Sequence, residues 1–243
     1  MENQGTNKLN CEESFLMPLH PQLKADLIKS WGVENAFELI NVYKGLPLAY
    51  KATLETIGDH SLQMSVESPS SVCLSWENST IILDIQHLLA FEARIVSYNI
   101  EKGMVELSDL TPTDRVFGFR EMARVEPDQP IPVKISGEVH TVIGEMLDIS
   151  LTGIGIQTHS LGDPPLKVGD IVRLTLILMG KNTGPSGTVI TILPEGGAYR
   201  LGIRFALEVT VPNLIARYVT HRRAEIHREL QDAYDEAYQD AAT

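Results

Sequence analysis

Two groups of polar residues in the middle of the chain combine side chains that bind phosphate with side chains that recognise guanine. The first group is three arginines within ten positions: Arg115, Arg120 and Arg124. The second group follows downstream and consists of Asp148, Ser150 and Gly153. A guanidinium binds phosphate oxygens in pairs and also the O6/N7 edge of guanine. A carboxylate accepts the guanine N1–H and N2–H donors, a hydroxyl adds a flexible partner, and a glycine allows close backbone approach. Together the two groups predict a site for a small guanine nucleotide.

Each group also has a simpler interpretation. Arg120 and Arg124 could form surface ion pairs with neighbouring acidic residues, and Arg115 could either solvate a linker or contact phosphate. Asp148 and Ser150 could merely shape the end of a strand, because their side chains readily bond nearby backbone amides. The occurrence of both groups in one stretch favours ligand binding.

The order Arg-x-x-x-Arg and then Asp-x-Ser-x-x-Gly resembles the hallmark of the PilZ domain, the bacterial receptor for cyclic di-GMP. Arg120 and Arg124 fill the first part, and segment 148–153 fills the second at the family's interval. The flanking segments DISLTGIGI and YRLGIRF also look like strands of that family, so that the likeness covers roughly residues 115–210. Residues 35–112 look like the β-barrel that precedes PilZ in flagellar-brake (YcgR-like) proteins.

The resemblance implies that Arg120 and Arg124 clamp the phosphate and guanine of cyclic di-GMP, while Asp148 and Ser150 fix a guanine edge. It implies no cofactor beyond this ligand and no metal. Many family members carry a further arginine directly before the first motif arginine, whereas this chain has Phe119. We therefore expect one bound ligand rather than a stacked pair. The implied output is a change in domain arrangement that alters a protein partner, such as a flagellar or attachment component in the control of motility.

Hydrophobic patterning predicts an all-β fold of two small antiparallel β-barrels, followed by a C-terminal α-helix. We expect a split-barrel-like domain over residues 20–112 and a six-stranded PilZ barrel with its helix over residues 113–243. Strands are predicted at 46–57, 61–67, 80–85, 91–99 and 104–110, and then at 131–136, 139–149, 153–158, 170–178, 186–193 and 198–206. Helical spacing predicts a short helix from Pro21 to Trp31 and a long one from about Val211, interrupted in its apolar stripe by Arg222. Its acidic C-terminal end opposes the helix dipole, which predicts that the last turns fray unless another contact holds them.

Composition and charge exclude several classes of protein. The net charge of −12 argues against DNA or RNA as a partner, because polymer binding needs a basic footprint. No run of about 18 apolar residues exists, and the polar N-terminus is unlike a signal peptide, so we expect no membrane insertion. Cys11 and Cys73 lie far apart, which is typical of reduced thiols in the cytoplasm.

We find no catalytic set and therefore expect no enzymatic activity. The histidines do not cluster, and the glycine-containing segments complete neither a phosphate loop, a dinucleotide fingerprint nor a nucleophile elbow. A second pair at the motif spacing, Arg200 and Arg204, lies in an alternating apolar pattern. We interpret that pair as the solvated face of a strand.

Two other classes of function stay open on the sequence. One is a PilZ-fold adaptor that binds a protein with little dependence on nucleotide. The other is an enzyme that works in the N-terminal half, where a split barrel could bind flavin.

Overall fold

The computed structural model describes residue 25 and residues 37–85, 89–113, 123–138, 141–206 and 213–241. These residues form two antiparallel β-barrels and one long C-terminal helix, which confirms the predicted all-β class with its helix. The predicted helix at residues 21–31 lies outside the described residues, apart from Ala25. The predicted domain ranges of 20–112 and 113–243 stay predictions.

The N-terminal barrel consists of six strands that close in the order β1-β2-β3-β6-β5-β4. A short 3-10 helix, Pro69–Ser75, lies between β3 and β4. The bounds are β1 Phe37–Tyr43, β2 Leu46–Ile57, β3 Ser61–Val66, β4 Ser79–Asp84, β5 Leu89–Asn99 and β6 Met104–Pro112. Alternation of apolar and polar residues along β2 places every second side chain in the barrel interior, as expected for a strand with one buried face. The architecture is the β-barrel that the likeness to flagellar-brake proteins predicts.

The C-terminal barrel is built from a sheet in the order β11-β10-β12-β13-β9-β8-β7, and pairing of β10 with β7 closes six of these strands. The seventh, β11, extends the hairpin that starts in β10. The bounds are β7 Pro132–Ser136, β8 Thr141–Ile149, β9 Gly153–Thr158, β10 Ile171–Leu178, β11 Lys181–Thr183, β12 Ser186–Glu195 and β13 Ala198–Phe205. Closure leaves β11 as a short strand at the edge of the sheet, where it pairs with β10.

The predicted strands are confirmed to within two residues at each end. Sequence analysis missed β1, β11 and the 3-10 helix. β1 was missed because its sequence, FELINVY, is apolar on both faces and shows little alternation. β11 has three residues, which is too short for any periodicity to register.

The C-terminal helix α1, Asn213–Ala241, spans about 43 Å at 1.5 Å per residue. It packs against both the 3-10 helix of the N-terminal barrel and β10 of the C-terminal barrel. Buried side chains of both barrels and of α1 form one continuous apolar cluster. The helix continues to Ala241, so its last described turns are helical. Stacked rings of Tyr234 and Tyr238, with centroids 6.2 Å apart, support these turns.

We predict that shortening one buried side chain of α1 destabilises the whole protein. Leu230 is 1% exposed, so Leu230→Ala should lower the free energy of unfolding by about 2–5 kcal/mol through lost burial and a residual cavity. Arg223→Ala, at an exposed position two turns earlier on the helix, is the matched control and should change stability by less than about 0.5 kcal/mol. Chemical denaturation followed by circular dichroism measures both. Equal stability of the two variants would contradict the packing of this helix.

Candidate site at the ends of strands β8 and β9

Three elements of the C-terminal barrel bring the described motif residues together. Arg124 lies on the connector, which is the segment between the end of β6 and the start of β7. Asp148 lies near the end of β8, and Gly153 begins β9. The connector is tied to β8 by a β-bridge between Val125 and Ile149. Arg115, Phe119 and Arg120 lie outside the described residues, so their predicted roles stay predictions.

A β-bulge in β8 determines where the carboxylate of Asp148 points. Met146 pairs with Ile156 and Asp148 pairs with Gly155, which leaves Leu147 as the extra residue. The alternation along β8 would otherwise place Asp148 on the same inner face as Met146. Because one added residue shifts all later side chains to the other face, Asp148 points to the outer face of the barrel.

The carboxylate of Asp148 lies between two guanidinium groups. Arg124 donates from Nη1 to Oδ1 at 2.6 Å, and Arg200 donates from Nη2 to Oδ2 at 3.0 Å. Asp148 is 6% exposed, whereas the arginine side chains are half-buried and exposed, respectively. Two guanidiniums around one carboxylate leave a formal local charge of +1 in a protein whose net charge is −12. The cluster can therefore attract an anion while keeping a buried acceptor available for donors.

Arg200 is the functional candidate that sequence analysis missed. It was interpreted as part of a solvated strand face, and its exposure agrees with that interpretation, but its guanidinium reaches across the sheet to Asp148. The register explains the reach, since Arg200 on β13 pairs with Gln157 on β9, two residues from Gly155. No local pattern in the sequence indicates this contact, because it depends on how β13 pairs with β9.

Glycines form the floor between Asp148 and Arg200. Gly155 on β9 pairs with Asp148 on one side and with Gly202 on β13 on the other, so all three residues lie on the outer face of the barrel. A Cβ added at Gly155 would lie 2.8 Å from Oδ2 of Asp148, which is closer than real Cβ contacts. The missing side chain is therefore what allows the carboxylate to lie flat on β9. At Gly202 an added Cβ would lie 2.4 Å from Oγ1 of Thr191, so this glycine makes room for a neighbouring side chain as well.

Ser150 and Gly153 form the turn between β8 and β9. The Ser150 amide donates to the Gly153 carbonyl at 2.9 Å, and the Ser150 hydroxyl donates to the same carbonyl at 3.3 Å. The Thr152 amide donates to the Ser150 hydroxyl at 3.3 Å. Ser150 is 1% exposed, so contact between this hydroxyl and a ligand would require the turn to rearrange. At Gly153 an added Cβ would lie 2.6 Å from the Ile203 carbonyl oxygen, which accounts for a glycine there.

Within the described residues, no group of three or more His, Cys, Asp or Glu side chains is arranged to hold a metal ion. No described helix has a stretch apolar and long enough to cross a bilayer. Cys73 is buried in the N-terminal barrel, and burial raises the pKa of its thiol to about 12. A thiol of that pKa is protonated at neutral pH and is a poor nucleophile.

Residues 119–221 match the family model described as PilZ domain. This range includes residues 123–131 of the connector, the bulged strand and all five residues of the cluster and its floor. The chain therefore contains a PilZ domain. An uncharacterized protein of Aquifex aeolicus (strain VF5) is 35% identical over 115 residues, which are 47% of this chain and 54% of that protein. The chain thus spans about half the length of the curated relative it matches.

The solved structures to which the chain is similar include three whose names concern cyclic di-GMP or motility. The match to the MrkH–c-di-GMP complex of K. pneumonia covers 84% of this chain and 94% of the MrkH chain, at 11% identity and a TM-score of 0.44. The PilZ domain with c-di-GMP of YcgR from Escherichia coli covers 46% and 96%, at 20% identity and a TM-score of 0.38. The Bacillus subtilis inhibitor of motility, MotI/DgrA, covers 78% and 96%, at 14% identity and a TM-score of 0.36.

We predict that a single methyl group at Gly155 displaces the Asp148 carboxylate. In Gly155→Ala the new Cβ would meet both carboxylate oxygens within about 3 Å, so at least one arginine contact should break. The barrel should remain folded, because position 155 faces outward. NMR of the Arg124 and Arg200 guanidinium N–H groups measures the contact, with thermal unfolding as the test of the fold. Gln157→Ala, on the same face of β9, is the control. Unchanged guanidinium signals in Gly155→Ala would contradict the described geometry.

Proposed function

We propose that this protein is a receptor for cyclic di-GMP rather than an enzyme. The observation that carries the proposal is the outward-facing Asp148 carboxylate, held by Arg124 and Arg200 above a glycine floor within the PilZ domain. This arrangement offers both cationic donors for phosphate and an acceptor for the guanine N1–H and N2–H groups. Arg120 and Arg115 would add further guanidiniums from the connector, and Ser150 and Gly153 would shape the turn beside the base.

Ligand binding at this site is an exchange of partners. In the structure, Asp148 accepts from Arg124 and Arg200. A guanine edge that donates to Asp148 must take over at least part of this carboxylate, and the released guanidinium then becomes available for the phosphate. The exchange keeps the buried carboxylate paired throughout, which avoids the cost of leaving a charge unpaired in a desolvated position.

The output of the receptor would be a change in the arrangement of its two barrels that alters a protein partner. The connector that bears the arginines joins the barrels, so a ligand that orders it changes the angle between them. A ligand shifts such a balance only by its differential affinity for the two arrangements. The control of motility or surface attachment through a flagellar or attachment component is the role that we propose for this output.

The first prediction for this function concerns the motif arginines. Replacing Arg124 or Arg120 by alanine removes charge-assisted hydrogen bonds worth roughly 1.5–3 kcal/mol each, so the affinity for cyclic di-GMP should fall about 10–100-fold. Isothermal titration calorimetry measures affinity and stoichiometry, and we expect one ligand per site. Arg173→Ala, at an exposed position on β10 of the same barrel, is the control and should bind normally.

Two outcomes would contradict the assignment. Native protein that does not bind cyclic di-GMP would favour an adaptor whose PilZ domain binds a protein instead. Tight binding that is unchanged in both arginine variants would place the ligand elsewhere.

The second prediction concerns the choice of base. Asp148→Asn keeps the shape of the side chain but replaces one acceptor by a donor, so it meets one of the two guanine N–H groups with a donor of its own. The variant should bind cyclic di-GMP about 10–100-fold more weakly and discriminate less against cyclic di-AMP, because adenine has no donors at N1 and C2. Competition titrations with the two dinucleotides measure both effects. Equal affinity of the native protein for both dinucleotides would exclude this role for Asp148.

A further inference from the structure

Three successive residues of the connector contact three different parts of the molecule. The side chain of Arg124 binds Asp148 in the candidate site. The main chain of Val125 exchanges two hydrogen bonds with Ile149, the residue after Asp148, at 2.9 and 3.0 Å. The main chain of Glu126 is bound on one side by the N-terminal barrel and on the other by helix α1. The backbone that presents Arg124 is therefore fixed immediately after it.

Arg222 of helix α1 is the side chain that holds this backbone. It is 2% exposed, and its Nε donates to the Glu126 carbonyl at 2.9 Å. Its Nη1 donates to Glu229 at 2.8 Å and to Glu225 at 3.3 Å. Among the described residues, its Nη2 has no hydrogen-bond partner. A buried guanidinium with an unsatisfied group is costly for stability alone, which indicates that position 222 is kept for what it holds.

The N-terminal barrel contacts Glu126 and Glu229 through the turn between β1 and β2. The Lys44 carbonyl accepts from the Glu126 amide at 3.0 Å, and the Lys44 ammonium binds Glu229 at 2.5 Å. The hydrogen bond to Glu229 raises the pKa of Lys44. Partial burial alone would raise the pKa of Glu229, but the bonds from Lys44 and Arg222 lower it. Glu229 thus links a cation of one barrel to the buried arginine that holds the connector of the other.

We infer that Arg222 is a positioning residue for the ligand site. It fixes Arg124 through the Glu126 main chain, and it links ligand affinity to the Lys44–Glu229 contact between the barrels. The inference deepens the proposed function and rests on it where ligand affinity is concerned. Arg222 touches no ligand in this arrangement. It acts by reducing the conformational freedom that the connector must lose when the arginines bind phosphate.

The link between the barrels follows from reciprocity. If holding the Lys44 turn against helix α1 strengthens ligand binding, then ligand binding strengthens that contact by the same factor. The receptor would then report occupancy as a tighter association of the N-terminal barrel with α1. Because Lys44 and Glu229 are both partly exposed, this contact can be made and broken without unfolding either barrel.

The first test needs no ligand. Hydrogen exchange at the Val125 and Glu126 amides reports on the connector directly, since both amides are bonded in the structure. In Arg222→Met, exchange at these amides should become about tenfold faster than in the native protein, relative to the strands of the N-terminal barrel. If Arg222→Met does not fold, Glu229→Gln, at a half-buried position, makes the same test. Unchanged exchange at residues 123–126 in a folded variant would overturn the inference, whether or not the protein binds cyclic di-GMP.

The second test measures affinity for cyclic di-GMP by calorimetry, with global stability measured alongside. Arg222→Met should weaken binding about tenfold and Lys44→Met about threefold, within the usual range of coupling between sites. Lys51→Met, an exposed lysine on β2 of the same barrel, is the control and should have no effect. A role in stability alone would lower the melting temperature and leave the affinity of the folded variants unchanged, which would overturn the inference. Faster exchange in Arg222→Met, together with native protein that binds no ligand, would support the positioning role and refute the proposed function.

Discussion

The ion pairs of the Asp148 carboxylate with Arg124 and Arg200 are the interactions to which the rest of the site is adapted. A carboxylate of such low exposure is stable only with charged donors on both oxygens. The β8 bulge turns it outward, Gly155 leaves it room, and the connector and β13 each supply one arginine. Each of these features would be unnecessary, or unfavourable, without that charge at that position.

The site is also a compromise between being stable and being available. Two direct ion pairs satisfy the carboxylate from within the protein. The exposure of Arg200 keeps one of these pairs weak, because solvent screens a partly exposed ion pair. Exchange of that partner for another donor therefore costs little.

Sequence analysis predicted the class of fold, most strands and the residues at the centre of the site because these leave local signals. Alternation identifies a strand such as β2, and the motif spacing identifies Arg124 and Asp148. Arg200 was missed because its contact depends on the register between β9 and β13, which no local pattern encodes. Arg222 was noticed only as an interruption of an apolar stripe. The interruption was the signal, since a charge on the buried face of a helix requires partners from elsewhere in the fold.

Helix α1 follows both barrels in the chain, and this order has a consequence during synthesis. Each barrel closes on strands that leave the ribosome before α1, and domains generally fold as units in the order in which they emerge. Arg222 can therefore reach a Glu126 carbonyl that is already part of a folded barrel. In nascent protein that still lacks α1, the two barrels lack the helix that packs against both of them. The contacts that α1 makes with the barrels therefore form last.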